Sequence, residues 1–450
     1  MTQHFDLVCI GTGSGASTAA SRCRAAGWTV AIIDKRPFGG TCALRGCDPK
    51  KVLVGAADVV DWARRMNGKG VDEKGMRIAW PELMQFKRTF TEPTPQAREN
   101  GFRKAGIAIF HGPARFTGPT SLQVGGDALE AKHIVIAPGQ KPATLGIPGE
   151  DRLVISDQFL ELDALPPRII FIGGGYISME FAHVAAVAGA QITIVHRGTR
   201  PLEGFDPDLV AMVVAGLGEK GVNLQLNARA EAVETRGDSL RLTTSRGTDK
   251  LTFDADLIVH GAGRVPEIDD LNLDVAKVEW DRRGIKVTEY LQSVSNPAVY
   301  SAGDAAASGN PPLTPVAGYE GGVVAANLLH GNREKASPGA VPTVAFTIPP
   351  LASVGLREEQ AVAAGIRFHR TFSQTQGWYS SRRIGETHSG FKILIDEASD
   401  QIVGAHLLGH NAEELINLFT MAMQSKICAA DLRKMIFAYP THGSNVQYML

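Results

Sequence analysis

The feature that most constrains this chain is a pattern that occurs twice: apolar run, glycine-rich turn, helix of small residues, second apolar run. In the first copy, residues 5–10 lead into Gly11-Thr-Gly13-Ser14-Gly15-Ala16. A helix is predicted to follow as far as Gly27, then a strand over 28–33 that ends at Asp34. Glycines in such a turn let backbone N–H groups approach a pyrophosphate at the helix N-terminus, where the helix dipole favours negative charge. Asp34 stands about twenty residues past the turn, where a carboxylate accepts hydrogen bonds from a ribose 2′-hydroxyl. Ala16 takes the third glycine position, which the pattern allows.

The second copy has a strand over 169–172, the turn Gly173-Gly-Gly175-Tyr176-Ile177-Ser178, a helix predicted over 179–188 and a strand over 191–195. Its last strand ends in His196-Arg197, with Arg200 close behind, and not in an acid. An acid there would suit the diol of NAD, whereas cationic side chains suit the 2′-phosphate of NADP. Two nucleotide-binding units are therefore expected, the second of them selective for NADPH.

Composition narrows the class. A chain of 450 residues with formal net charge −1 is too long for one core, and about three domains are expected. Nothing resembles the basic face of a nucleic-acid binder or a polybasic anchor, and no apolar run has the length of a bilayer span. The start, MTQHFDLVCIGTGSG, enters a strand pattern without a basic leader, so a soluble cytoplasmic protein is expected. Five cysteines exclude a disulfide framework. Cys9 lies in an apolar strand, and Cys23 and Cys428 in helical patterns, so all three read as buried small hydrophobes. Cys42 and Cys47 lie close together in a glycine-rich segment, which alone decides little. No further Cys or His lies near them, so no metal site is expected.

Beyond the two fingerprints, short apolar strands end in small residues at 131–139, 255–263 and 298–304. Asp304, at the end of the last, is placed toward the ribityl or phosphate region of the first nucleotide. From about residue 341 strands and helices alternate without a glycine fingerprint, and Ser337-Pro338-Gly339 makes a boundary. The segment Thr91-Glu-Pro-Thr-Pro95 should break an otherwise helical stretch.

Residues 39–50, Gly39-Gly40-Thr41-Cys42-Ala-Leu-Arg-Gly46-Cys47-Asp48-Pro49-Lys50, resemble the GGTCxxxGCxPxK signature of class I pyridine nucleotide–disulfide oxidoreductases. This group includes glutathione reductase, dihydrolipoamide dehydrogenase and mercuric reductase. The likeness continues through GGGYIxxE, GAGRVP, SAGD, LTPVA and PTVAFTIPPLASVGL, essentially the whole chain. It implies an α/β fold of two Rossmann-like three-layer domains, one for FAD and one for NADPH, with a C-terminal α+β dimerisation domain. The implied boundaries are 1–147 and 266–337 for the FAD domain, 148–265 for the NADPH domain and 338–450 for the dimerisation domain.

The resemblance also implies roles. Cys42 and Cys47 look like a redox-active disulfide, Cys47 beside the flavin and Cys42 the interchange thiol. Lys50 looks like the lysine near the flavin, with Glu180 as its ion-pair partner, and Tyr176 like the ring that gates the nicotinamide. Gly11, Gly13, Ser14, Gly15, Asp34, Lys35, Gly40, Thr41, Ala114, Gly139, Asp304 and Thr314 match positions that hold FAD. Gly173, Gly175, Tyr176, Ile177, His196, Arg197, Arg200 and Gly263 match positions that hold the pyridine nucleotide.

Two departures bear on chemistry. The family ends HPTxxE, its His serving as acid/base in the partner subunit's site, whereas this chain reads Tyr439-Pro440-Thr441-His442-Gly-Ser444-Asn445. His442 is expected to assume that role, with Tyr439 as the alternative. Asp48 stands where relatives carry an apolar residue, and a carboxylate beside Cys47 would need a cation such as Arg45 or Lys51, or would contact substrate or solvent. The sequence ends at Leu450 without the further cysteine pair of mercuric reductases and large thioredoxin reductases. The expected function is electron transfer from NADPH through FAD and the Cys42–Cys47 pair to a small disulfide, in a glutathione-reductase-like homodimer whose active site is shared between subunits. The alternatives are a reductase of a quinone or metal ion, or an enzyme like dihydrolipoamide dehydrogenase.

Overall fold

Residues 1–450 are described by a computed structural model, which divides the chain into two compact units. One comprises Met1–Pro49, Phe86–Ala143 and Arg264–Pro338, and the other Lys50–Gln85, Thr144–Gly263 and Gly339–Leu450. The second unit thus takes in residues 50–85 together with 144–263 and 339–450.

In the first unit, β1 (Thr2–Ile10) runs into α1 (Ser14–Ala25) and β2 (Val30–Asp34). After α2 (Gly40–Arg45) and the start of α3 (Cys47–Arg65), the helices α4 (Trp80–Thr91) and α5 (Thr94–Lys104) precede β3 (Ala108–His111). Then come β4 (Ala114–Phe116), β5 (Ser121–Val124) and β6 (Asp127–Ile136). The sheet has the order β3-β2-β1-β6-β5-β4, with strand Val299–Ser301 parallel to β6. β1 lies parallel between β2 and β6, Cys9 opposite both Ile32 and Val135.

The inner half of β1 is buried on both faces, as parallel strands covered by helices are. Leu7, Cys9 and Ile32 pack with Ala16, Ala19 and Cys23 of α1 and with Val323 and Val324 of helix Thr314–His330. Val8, Ile10 and Ile33 pack on the other face with Phe116 and Ile134. Small residues are needed where α1 meets the late helix: a Cβ on Gly321 would lie 2.3 Å from the carbonyl oxygen of Gly15. Pro93 separates α4 from α5, as the sequence predicted, because it has no N–H to continue the helix.

In the second unit, β7 (Val154–Ile155), β8 (Arg168–Ile172), α6 (Tyr176–Val187) and β9 (Gln191–Val195) precede α7 (Pro207–Glu219). With β10 (Asn223–Gln225) and β11 (Leu257–His260) they build a parallel sheet of order β10-β9-β8-β11-β7. α6 starts at Tyr176, three residues earlier than the sequence predicted, so the helix begins directly at the last glycine of the turn. Phe181 and Met179 of α6 join Leu53, Ala57 and Val60 of α3 in the core of this unit.

The C-terminal part is an antiparallel sheet of β12 (Thr343–Ala345), β13 (Leu351–Gly355), β14 (Phe368–Gln374), β15 (Gly390–Asp396) and β16 (Ile402–Leu408), in the order β12-β13-β16-β15-β14. Helix α8 (Ala412–Gln424) lays Leu415, Ile416 and Phe419 on Phe391, Ile393 and Leu407 of that sheet. Cys9 and Cys23 are buried. Cys428 is not the buried helical residue expected: it precedes helix Ala429–Lys434, is half-buried, and its thiol donates to Asp431 Oδ2 at 3.2 Å. A short polar side chain at a helix N-cap is favoured over one inside the helix. No helix is long and apolar enough to cross a membrane.

Candidate active site

The first glycine turn is built as a cradle. Gly11 sits at φ +104°, and a Cβ there would lie 2.2 Å from the Ala137 carbonyl oxygen. A Cβ on Gly40, which sits at φ +73°, would meet the Gly13 Cα at 2.6 Å. Gly13 caps α1 at φ −71°, and a Cβ on it would meet nothing within 4 Å. No side chain caps α1 and no acid lies in its first turn, where Ser14 and Gly15 stand. Its N-terminal N–H groups are therefore available to an anion.

Asp34 is pinned from below. Its Oδ2 accepts from Thr12 N at 3.0 Å and Thr12 Oγ1 at 2.5 Å, and its Oδ1 accepts from Arg36 N at 2.9 Å. Four lone-pair positions less three leaves an acceptor site on Oδ1 for a ribose hydroxyl. The role of Thr12 was missed, because the middle residue of the glycine turn was read only as a spacer. Lys35 turns toward Glu267 and Asp270, at 3.2 and 2.9 Å. Ala114 is buried at the start of β4, and Gly139 sits at φ +78°. The neighbouring Gln140 side chain donates to the Asp304 carbonyl at 3.4 Å. Burial raises the Asp304 carboxyl pKa, against the lowering influence of Arg264.

Thr41, Cys42, Cys47, Asp48 and Thr314 belong to the same unit. Cys42 lies in α2, and Cys47 opens α3. Cys42 and Cys47 are not bridged to each other. Cys47 Sγ is 3.9 Å from Thr314 Oγ1, and the Cys42 thiol donates to Asp48 Oδ1 at 3.6 Å. Contact with Cys42 was not among the roles expected for Asp48. The Cys42 thiol pKa is pushed far up, first by its hydrogen bond to Cys47, then by burial, with the charge of Asp48 adding to both.

In the second unit, Lys50 Nζ reaches Glu180 Oε2 at 2.8 Å, and Lys51 Nζ reaches the same oxygen at 2.8 Å. Glu180 Oε1 accepts from Phe346 N at 3.0 Å, and Lys51 Nζ lies 3.8 Å from the centroid of the Phe346 ring. Burial alone would raise the Glu180 carboxyl, but the two lysines outweigh it and hold the pKa below the ordinary value. The second lysine was missed as a partner of Glu180, and the spacing of the sequence offers no signal for it. Lys50 Nζ also lies 5.0 Å from the ring centroid of Tyr176, which begins α6 and is half-exposed.

The second glycine turn repeats the first. Gly173 sits at φ +109°, with a Cβ position 2.5 Å from the Gly261 carbonyl oxygen, while Gly175 and Gly263 face open space. α6 starts Tyr176-Ile177 with no side-chain cap and no acid in its first turn. His196 does not project with the arginines: its Nδ1 accepts from Gly174 N at 3.1 Å and its Nε2 meets the Arg200 carbonyl at 3.0 Å. The ring ties the basic loop to the glycine turn, and Arg197 is left exposed. Arg200 donates to the Glu203 carbonyl at 3.2 Å, and the Glu203 carboxylate lies 3.4 Å from His196 Nε2.

At the C-terminus the two acid/base candidates are placed differently. His442 is 8% exposed, with Nδ1 3.2 Å from Asn411 Nδ2, its ring 5.5 Å from that of His410, and Nε2 without a hydrogen-bond partner. Burial, then His410 and Arg383, lower its pKa to about 4. Tyr439 is 78% exposed and follows the fully exposed Ile436. Ser444, at the family's Glu position, donates to the Thr441 carbonyl at 2.6 Å.

Two dinucleotide cradles, a thiol pair at a helix start and a lysine–glutamate pair define a flavin-dependent, pyridine-nucleotide-linked oxidoreductase. The uncapped N-termini and open Gly13 and Gly175 fit the two phosphate groups such an enzyme binds. Residues 5–321 match the pyridine nucleotide-disulphide oxidoreductase family, and 341–450 match its dimerisation domain. The chain belongs to this family, and the dimerisation domain makes it a homodimer.

The chain is 32% identical to a glutathione reductase of Burkholderia cepacia, over 97% of this chain and 96% of that one. It is 31% identical to a mercuric reductase of Bacillus cereus, over 98% of this chain and 70% of that one. A dihydrolipoyl dehydrogenase of Chlamydia muridarum is 30% identical over 98% of this chain and 95% of its own length. Among solved structures, the Cu(II) complex of the HOCl-induced flavoprotein disulfide reductase RclA from Escherichia coli superimposes with TM-score 0.88 at 25% identity, covering 100% of this chain and 99% of that one.

Proposed function

We propose that the protein uses NADPH to reduce a low-molecular-weight disulfide through Cys42 and Cys47. Bound FAD supplies acceptance of a hydride and its delivery as an electron pair to the thiol pair. The observation that carries the reading is the different setting of the two thiols: Cys47 opens α3 and is exposed, while the Cys42 thiol donates a hydrogen bond to Asp48 Oδ1 at 3.6 Å. That arrangement favours Cys47 as the thiolate and leaves Cys42 as the interchange thiol. Lys50, held by Glu180, places a fixed positive charge where reduction accumulates negative charge. Arg197 and Arg200 give the second cradle its preference for a 2′-phosphate. Tyr439, exposed near the C-terminus, is the group offered to the partner subunit's thiols, and its phenol can donate but is a weak base at neutral pH.

The test is anaerobic addition of NADPH, then oxidised glutathione, while following absorbance. A long-wavelength band from the Cys47 thiolate that appears with NADPH and disappears with glutathione supports the reading. A band that persists excludes glutathione and leaves other disulfides. Reduction with no such band overturns the dithiol route.

A metal ion as acceptor is the second reading. It is favoured by the absence of the family's His at position 439, by the Cu(II) complex of RclA, and by the mercuric reductase likeness. Turnover of Cu(II) or Hg(II) by wild type that survives in Cys42→Ser, because electrons can leave directly from the flavin, would support it.

A further inference from the structure

Asp48 lies in the first turn of α3, where a carboxylate suits the helix dipole, and it accepts a hydrogen bond from the Cys42 thiol at 3.6 Å. A thiol is a poor nucleophile until it loses its proton. Cys42 is a thiol with every local influence but one set against that loss: the hydrogen bond to Cys47, burial and the Asp48 charge all oppose it, and only the Thr314 hydroxyl helps. Attack on an acceptor therefore requires a base that takes the proton as the new sulfur–sulfur bond forms. A base must stand within hydrogen-bond reach of the proton it takes, and Asp48 Oδ1 does.

We propose that Asp48 is a catalytic proton carrier for Cys42, taking the thiol proton during attack and handing it to the departing thiolate. The proposal rests on the disulfide-reductase reading above. As Cys42 Sγ bonds to one sulfur of the acceptor, the acceptor S–S bond breaks, and its electron pair leaves with the second sulfur. Asp48 receives the Cys42 proton and passes it to that sulfur, releasing the first thiol. Cys47, as thiolate, then attacks Cys42 Sγ; the Cys42–Cys47 bond forms, the mixed disulfide breaks, and the second thiolate leaves and is protonated from solvent. Two electrons pass from the thiol pair to the acceptor, and NADPH restores them. A residue adjacent to Cys47 in sequence thus serves the other cysteine.

The experiment uses the FAD-loaded dimer as wild type, Asp48→Asn and Asp48→Glu, each first reduced with NADPH in the absence of oxygen. Reoxidation is then followed with two acceptors: an aliphatic disulfide, whose leaving thiolate needs a proton, and an aryl disulfide such as 5,5′-dithiobis(2-nitrobenzoate), whose leaving thiolate does not. Asp48→Asn should slow the aliphatic reaction by about a hundredfold, the scale of general acid–base catalysis. It should slow the aryl reaction as well, because Cys42 must still lose its proton, but by less, since that leaving thiolate needs no proton in return; Asp48→Glu should recover most of the loss. Equal slowing with both acceptors, or none with either, overturns the proposal and leaves the disulfide-reductase reading intact. A wild-type protein that NADPH reduces but neither disulfide reoxidises overturns both. Normal reduction of the variants by NADPH shows that they are folded and loaded.

Discussion

Lys51 Nζ lies 2.8 Å from Glu180 Oε2, the same oxygen that Lys50 Nζ approaches at 2.8 Å. Glu180 is 1% exposed, so a carboxylate without a cation there would be costly. Two lysines on one carboxylate leave a net positive charge.

This sharing predicts non-additive stability. Lys50→Met and Lys51→Met should each cost about 1–2 kcal/mol, because the other lysine still neutralises Glu180. The double variant should lose about 3–5 kcal/mol, the cost of a buried unpaired charge, and more than the sum of the singles. Urea unfolding of the four proteins closes the cycle. Additive losses would show that Glu180 does not depend on the pair. Adding Glu180→Gln to the double variant should recover stability.

Much of this site was legible in the sequence, and the rest was not for specific reasons. Both glycine turns were readable from their spacing between two apolar runs, and a positive φ with close backbone approach explains the first glycine of each, Gly11 and Gly173. Lys50 with Glu180 came from a motif match. Lys51 did not, since nothing in the spacing says that α3 presents two consecutive lysines to one carboxylate. Asp48 could be placed beside Cys47 in the chain but not beside Cys42 in space. The setting of His442 could not be read from the sequence because burial is a tertiary property: three residues separate the exposed Tyr439 from the buried His442. His196 belonged to a basic cluster in sequence yet uses both ring nitrogens on backbone.

Nucleotide selectivity should follow the geometry of that loop. Arg197 is exposed and free to meet a 2′-phosphate, so Arg197→Ala should raise the KM for NADPH by about tenfold or more while leaving NADH nearly unchanged. Glu203, on the same loop, opposes a phosphate, and Glu203→Gln should lower the KM for NADPH. Steady-state kinetics with both nucleotides decide this. Parallel changes for NADPH and NADH in Arg197→Ala would place the 2′-phosphate elsewhere.

Glu386 carries a pH dependence of opposite sign to that of His442. Burial raises the Glu386 carboxyl to about 7, against the influence of Arg65 and the hydrogen bond from His410 N. A folded pKa above the unfolded value near 4.5 means that its favourable contribution is complete below that pH and is lost as pH rises through 7. Glu386→Gln should therefore gain stability above pH 7, on the order of 1–3 kcal/mol, and gain nothing below pH 4.5. His442, lowered to about 4, contributes above its unfolded pKa near 6.5, and that contribution falls away as pH drops toward 4. Thermal unfolding of wild type, Glu386→Gln and His442→Asn from pH 4 to 8 separates the two; a constant difference between wild type and Glu386→Gln would exclude the buried carboxyl.

The two glycines of the first turn should fail in different ways. At Gly11 the positive φ and the 2.2 Å approach of a Cβ to the Ala137 carbonyl leave no room. Gly11→Ala must push β1 away from β6 or strain the turn, and it should destabilise the protein by more than about 2 kcal/mol. At Gly13 the backbone is at φ −71°, and a Cβ would point into open space. Gly13→Ala should therefore fold with a melting temperature close to wild type when no flavin is bound, since an added methyl meets no protein atom. That open space is where a pyrophosphate would approach the N–H groups of α1. The same methyl should weaken FAD binding by at least tenfold, and the protein should purify pale. Flavin absorbance per subunit, read beside the melting temperature of the flavin-free protein, tests both halves at once. A stable and fully yellow Gly13→Ala would place the pyrophosphate away from this turn.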